Sequence, residues 1–214
     1  KNKAGYHPIH GAVHNGHIAV IDKLLAAGAS INQLSTDEAS PLYYSLGYGG
    51  QEINIDLVKF LFNKGADVTI AMNDGDTPMH MAHYKSSKEA IGLLLENGAN
   101  LHAQNNDKKT PLHCMIESKT SSQESKIQVI QAYKQKYDFS IQDNDGKTPI
   151  DYAKEYCPTI FSNIGLDISA MTEEDILANL LQNTIFANGN NDDPQNLEVE
   201  TAGNNGESND TMLD

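Results

Sequence analysis

The chain has 214 residues, a formal net charge of -14 at pH 7 and a sequence pI of about 4.8. This acidity disfavours binding to nucleic-acid backbones and to anionic membrane surfaces, because both attract basic patches on proteins. No run of 18 apolar residues predicts a membrane span, so a membrane protein is not expected either.

Predicted helices occur in pairs along the chain, and a proline marks the start of each pair. The third pair has the clearest signals: Thr77 can cap a helix, Pro78 suits the first helical position, and Gly98 can end the second helix, predicted over 90–97. One pair cannot bury both of its faces, so several must stack. The prolines stand 33, 37, 33 and 38 residues apart, at Pro8, Pro41, Pro78, Pro111 and Pro149.

The spacing and the residues around these prolines identify a repeat. Thr77-Pro78-Met79-His80 is followed 33 residues later by Thr110-Pro111-Leu112-His113. This pattern resembles the ankyrin repeat. The resemblance implies an all-α solenoid of five helix–turn–helix repeats with β-hairpin-like turns and a C-terminal capping helix. The repeats are expected at about 3–35, 36–72, 73–105, 106–143 and 144–171, the capping helix at 172–186, and an acidic, disordered tail at 187–214.

Several positions depart from the regular pattern. Repeat two is four residues longer than repeats one and three, which predicts an enlarged loop around 49–54, and repeat four carries five extra residues near 118–124. In repeat three, Ser86 replaces the glycine between the helices. In repeat four, Lys136 occupies the position of the helix-ending glycine, so we expect an altered end to a second helix predicted from residue 126.

The histidines and cysteines raise the question of metal binding or catalysis. His10, His14 and His17 could place two imidazoles on one metal ion, but the resemblance assigns His10 a structural role. Cys114 follows His113 directly, and adjacent helical residues do not face each other, so Cys114 is interpreted as a packed thiol. Both cysteines, Cys114 and Cys157, are expected to be free in a reducing compartment, which favours the cytoplasm. No enzyme activity, metal or cofactor is predicted.

The resemblance implies a protein–protein interaction module that binds through its turn tips and the exposed face of each first helix. Tyr6, Tyr48, Tyr84 and Tyr156 are expected along one concave strip, with neither Tyr48 nor Tyr84 in the core. The acidic turns of repeats two and three predict a partner with a basic patch. The chain itself is expected to be a monomer. The predicted partner-binding residues are Tyr6, His14, Asp37, Tyr48, Asn73, Asp74, Asp76, Tyr84, Lys85, Asn106, Asp107, Lys109, Asp145, Lys147 and Tyr156.

Two further interpretations stay open. An ankyrin array followed by a short acidic tail is similar to secreted effectors of some intracellular bacteria, which would place the protein in the cytoplasm or nucleus of a host cell. The alternative is that the array is the targeting arm of a larger enzyme. In that case a catalytic domain would lie upstream of Lys1, a hypothesis motivated by the absence of a starting methionine.

Overall fold

The computed structural model describes residues 5–160, 162–164 and 178. Within these residues the chain is all-helical, without a strand. Apart from residue 178, the predicted capping helix over 172–186 and the tail over 187–214 lie outside the described residues. The helices are α1 Pro8–His14, α2 Ile18–Ala26, α3 Pro41–Ser45, α4 Ile55–Asn63, α5 Pro78–Tyr84, α6 Lys88–Glu96, α7 Pro111–Glu117, α8 Gln123–Tyr133 and α9 Pro149–Tyr156, followed by a short 3₁₀ helix, Ser162–Ile164.

The helices form two rows, as expected of a solenoid. The first helices α1, α3, α5, α7 and α9 contact one another in sequence, and α4, α6 and α8 form the outer row. Each row covers the apolar side of the other, so neighbouring repeats share one continuous core. Its fully buried side chains include Ile21, Leu61, Ile91, Leu94 and Ile130.

Every first helix begins at the predicted proline, and local hydrogen bonds explain why. In three repeats, the histidine three residues after the N-cap accepts a hydrogen bond on Nδ1. The donor is the backbone N–H of the N-cap residue, at 3.0–3.1 Å. The Nε2 atom of the same ring lies 2.6–3.1 Å from a carbonyl oxygen of the following turn. The prediction that His10 is structural is therefore confirmed. The three histidines are His10, His80 and His113.

Three second helices end just before the predicted glycines. Gly28, Gly65 and Gly98 have φ of 90°, 85° and 85°, a conformation that glycine adopts without a Cβ clash. Ser86 replaces the inter-helix glycine and adopts φ 51°, so this non-glycine residue carries the strain of the left-handed region.

The second helix of repeat four ends differently, as predicted. It begins at Gln123, three residues before the predicted start, because the Ser122 hydroxyl caps it by accepting the Ser125 N–H at 3.1 Å. Its last residue is Tyr133, and no residue between 134 and 140 has a positive φ. Tyr137 lies in the core, where its side chain is 8% exposed, and Ala99 at the equivalent position of repeat three is buried as well.

The turns between repeats stack on one another through backbone hydrogen bonds. Within each turn, an N–H donates to the carbonyl four residues later, as from Met72 to Asp76 at 2.9 Å. Between turns, the Asn106 N–H donates to the Asp74 carbonyl at 2.9 Å, and equivalent bonds join the neighbouring pairs. The stacked turns therefore form a rigid edge beside the first helices.

Candidate partner-binding groove

Three adjoining cavities lie along the first helices of the repeats and the turns between them. We call this surface the concave groove. Their volumes are about 300, 460 and 510 Å³ from the N-terminal end. Tyr48 lines the first and second cavities, while Tyr84 lines the second and third. Asp74 and Asp76 also line both of the last two cavities. The groove is thus continuous over repeats one to four, with two tyrosines at the junctions.

The four tyrosines of the predicted strip differ in exposure. Tyr84 and Tyr156 are 39% and 40% exposed, whereas Tyr6 and Tyr48 are half-buried. The Tyr48 ring centroid lies 5.3 Å from that of Tyr43 and 5.2 Å from that of Tyr44. Tyr48 is not one of the buried core residues, but its ring packs against them while one side lines the groove.

The acidic residues of the turns also divide into exposed and half-buried groups. Asp74 is exposed, and its carboxylate accepts the Asp76 N–H at 3.0 Å. Asp76 is half-buried, its carboxylate accepts from the Asn105 side chain at 2.8 Å, and burial raises its pKa. Asp37 lies at the first turn beside Tyr48. Of the two carboxylates that line both the second and third cavities, Asp74 is consequently more available to a partner than Asp76.

Several predicted contact residues also hold the turns together. The side-chain amides of Asn73 and Asn106 are exposed, and each donates to a carbonyl of the preceding turn, at 3.4 and 2.9 Å. The Asp107 carbonyl accepts the Asn144 N–H at 2.9 Å. Asp145 is exposed on the last described turn. All four remain predicted partner contacts, and three of them also join neighbouring repeats.

The predicted cationic residues of the groove are engaged with nearby acceptors. Lys85 Nζ donates to the Gln51 carbonyl at 3.2 Å. Lys109 and Lys147 form 2.7 Å ion pairs with Glu117 and Glu155, and their ammonium groups lie 5.2 and 5.9 Å from the centroid of the Tyr152 ring. The Lys109–Glu117 pair therefore compensates one lysine charge within the third cavity, whereas Lys147 and Glu155 lie beyond the three cavities.

The structure places one possible set of metal ligands together that the sequence pattern does not indicate. Ligand atoms of Asp76, His80 and Cys114 lie within 4.8 Å of one another. Both His80 nitrogens are already engaged, Nδ1 by the Thr77 N–H and Nε2 with the Lys109 carbonyl. Burial also raises the pKa of the Cys114 thiol, so the thiolate that would bind a metal or attack a substrate is disfavoured. These residues therefore fit a packing role better than a metal centre.

The separate set of His10, His14 and His17 does not converge on a metal site in the described part of the chain. His10 serves the helix start, and the Nε2 atom of His14 lies 2.6 Å from the Gln51 side-chain nitrogen. His14 consequently links α1 to the enlarged loop of repeat two.

A further cavity, of about 540 Å³, lies between the outer helices α4, α6 and α8. Side chains of both charge signs surround it, including Lys59, Lys88 and Glu96. The Tyr133 hydroxyl donates to the Lys88 carbonyl at 3.0 Å. Its mixed charge contrasts with the acidic, tyrosine-rich groove on the inner helices.

None of the described helices is both long and apolar enough to cross a membrane. Comparison with known proteins matches the family model "Ankyrin repeats (3 copies)" to residues 9–105 and 52–124, which together cover more than half of the chain.

Several relatives found by sequence similarity are named for ankyrin repeats. Ankyrin repeat and SOCS box protein 11 of Mus musculus is 37% identical over 112 residues, which cover 51% of this chain and 32% of that protein. The putative ankyrin repeat protein FPV031 of Fowlpox virus (strain NVSL) is 31% identical over 150 residues, covering 66% of this chain and 41% of that protein. The chain thus spans about a third of the length of such curated relatives. With five proline-led first helices, structural histidines and a matching family model, the chain belongs to the ankyrin repeat family.

Proposed function

We propose that this ankyrin array binds a partner protein through the concave groove, and that the partner presents basic residues to it. The observation that carries the proposal is the continuity of the groove, because Tyr48 and Tyr84 each line two adjoining cavities. Tyrosine offers large contact area at low entropic cost and is enriched among residues that dominate binding energy.

Charge supports a basic partner. Asp74 and Asp76 line the second and third cavities, and the chain as a whole carries a net charge of -14. Complementary charge steers association and disfavours acidic competitors. The binding form is proposed to be a monomer in the cytoplasm, or in a host cell if the protein is a secreted effector.

A second proposal is that the array serves as the targeting arm of a longer protein. The observation in favour is that the relatives are longer than the matched region, and several are named for ankyrin repeats together with a SOCS box. In this proposal the groove selects the partner and another segment acts on it. Sequencing of the complete open reading frame tests it, and a reading frame restricted to the array would exclude it.

Replacing Tyr48 and Tyr84 together with alanine is expected to weaken partner binding by at least about 2 kcal/mol, the scale of hot-spot truncations. The partner is captured with the wild-type array, identified and purified, and its affinity for each variant is measured by calorimetry. Tyr84→Ala should keep the wild-type melting temperature because this ring is 39% exposed.

Tyr48→Ala is expected to lower stability as well, because Tyr48 packs against Tyr43 and Tyr44. Tyr48→Phe keeps the ring and serves as the folded comparison. Tyr133→Ala, in the outer cavity, is the matched loss of an aromatic side chain elsewhere. Normal affinity of the double variant, or an equal loss in Tyr133→Ala, would contradict binding through the concave groove.

A further inference from the structure

The N-terminal cavity of the groove differs from the other two in the chemistry of its walls. We call it the tyrosine cavity; its volume is about 300 Å³. Three tyrosines and two histidines form most of its lining, and Gly11 and Gly49 stand at the exposed rim. The lining residues are Tyr6, His10, Gly11, His14, Tyr44, Tyr48 and Gly49.

The buried ring of Tyr44 forms the floor of this cavity, and the rings of Tyr6 and Tyr48 form two of its walls. Tyr44 is 5% exposed, and the rings of Tyr6 and Tyr48 stand at 73° and 78° to it. The centroid distances to Tyr44 are 5.9 Å for Tyr6 and 5.2 Å for Tyr48. Three ring systems around one small cavity allow a cation to lie within about 6 Å of several ring centroids at once, the range of cation–π attraction.

The charges around the tyrosine cavity also favour a cation. The Asp37 carboxylate lies next to Tyr48, and burial, together with this negative charge, raises the pKa of the Tyr48 hydroxyl. Burial lowers the pKa of His10, which keeps this ring neutral near pH 7. No lysine lines the cavity, and the nearby Lys85 ammonium is bound to the Gln51 carbonyl in the neighbouring cavity.

Gly49 keeps the entrance open. A Cβ at this position would lie 3.2 Å from His14 Cε1, closer than most side-chain contacts allow. The glycine has φ 89° and is exposed, so a narrow, flexible side chain can approach past it. A purely apolar side chain would gain the ring contacts but would not compensate the negative charge of Asp37 beside Tyr48.

We propose that the tyrosine cavity binds an organic cation, the alkylammonium end of a partner lysine, either unmodified or methylated. The aromatic rings contact the cation and its methylene groups, and Asp37 balances the charge. This inference deepens the proposed partner-binding function and rests on it, because the partner supplies the lysine.

The experiment uses three small probes with the full chain: Nα-acetyl-lysine methylamide, its Nε-trimethylated form, and the neutral analogue with a tert-butyl group in place of trimethylammonium. Binding is followed by NMR of the tyrosine ring signals. At least one cationic probe is expected to bind about tenfold more tightly than the neutral analogue. Binding of both cations identifies unmodified lysine as sufficient, whereas binding of the trimethylated probe alone identifies a methylated partner.

Variants locate the site. Tyr48→Ala and Asp37→Asn should each weaken binding of the cationic probe, whereas Tyr48→Phe, which keeps the ring, should retain it. Tyr84→Ala is the matched control, because Tyr84 lies outside the tyrosine cavity. Equal affinity for the neutral analogue, absence of binding by either cation, or an equal loss in Tyr84→Ala would overturn the inference.

The two proposals fail separately in these measurements. Loss of partner binding in the Tyr48 and Tyr84 double variant, with no cation bound by the wild type, refutes the lysine site and leaves the groove as the partner surface. Cation binding to the wild type, with normal partner binding by the double variant, refutes the groove as the partner surface.

Discussion

Lowering the pH from about 7 to about 4 should reduce the free energy of unfolding by several kcal/mol, with about 3 kcal/mol due to His83 alone. His83 is fully buried on α5; its Nδ1 lies 2.9 Å from the Met79 carbonyl and its Nε2 lies 2.8 Å from the Tyr137 hydroxyl. Burial lowers the pKa of His83 from 6.5 to about 3, despite the opposing hydrogen bond to Met79. The neutral ring can donate at one nitrogen and accept at the other, which fits both contacts.

The sign of this effect follows from proton binding. Below pH 6.5 the unfolded chain protonates this histidine, whereas the folded chain keeps it neutral until the pH approaches about 3. The unfolded state therefore binds more protons in this window, and stability falls as the pH is lowered through it. Burial also lowers the pKa of His10, His80 and His113, so these three histidines add to the loss in the same direction.

Urea unfolding at several pH values measures this dependence. His83→Gln stays neutral at every pH, so its stability should fall less steeply, by up to about 1.4 kcal/mol per pH unit relative to wild type. His17→Gln is the matched control, because the His17 ring is exposed and solvated in both states. A wild-type stability that is flat between pH 7 and 4, or an unchanged slope in His83→Gln, would contradict the prediction.

Gly75→Ala is expected to destabilise the array by about 2–5 kcal/mol, through the contact between stacked turns. Gly75 has φ 84°, and a Cβ there would lie 2.7 Å from the backbone nitrogen of Asn106. That nitrogen donates to the Asp74 carbonyl at 2.9 Å, so relief of the clash requires this inter-turn hydrogen bond to lengthen or break. About 1–2 kcal/mol comes from the left-handed backbone, and the rest from the clash.

Gly98→Ala separates the two contributions. Gly98 has φ 85°, almost the same as Gly75, but no atom lies within 4 Å of the position of its Cβ. This variant should therefore be destabilised only by the backbone strain, which is roughly 1–2 kcal/mol. Urea unfolding of both variants measures the difference, and equal losses would show that the close approach of neighbouring turns does not contribute to stability.

The positions of the helices were largely predictable from sequence. Pro41 and Pro111 begin helices as expected, although the repeats they open are longer than repeats one and three. The enlarged loop of repeat two lies between α3, which ends at Ser45, and α4, which begins at Ile55.

Two second helices begin earlier than predicted. The α6 helix begins at Lys88, two residues early, because Ser87 supplies its cap. The α8 helix begins at Gln123, three residues early, because Ser122 supplies its cap.

The candidate site was predictable only in outline. The repeat register places Tyr84 on the exposed face of a first helix, and the structure brings it into the concave groove as an exposed ring. The register does not indicate that Tyr44 would form the floor of a cavity, because Tyr43-Tyr44 follows Pro41-Leu42 without a periodic signal. The same register assigned Tyr48 to the exposed face of a first helix. The α3 helix ends at Ser45, however, so Tyr48 lies past the helix and is half-buried against Tyr43 and Tyr44.

The sequence by itself determined the repeat, the starts of the first helices and the glycine turns that end three second helices. These features depend on proline, cap residues and glycine acting within a few residues of one another, so a local pattern predicts them. Only the tertiary structure decided the buried contact of His83 with Tyr137, 54 residues away, and the meeting of Asp76 with Cys114. Such contacts join side chains from different repeats, and their burial and pKa depend on how the repeats stack, which no local pattern specifies.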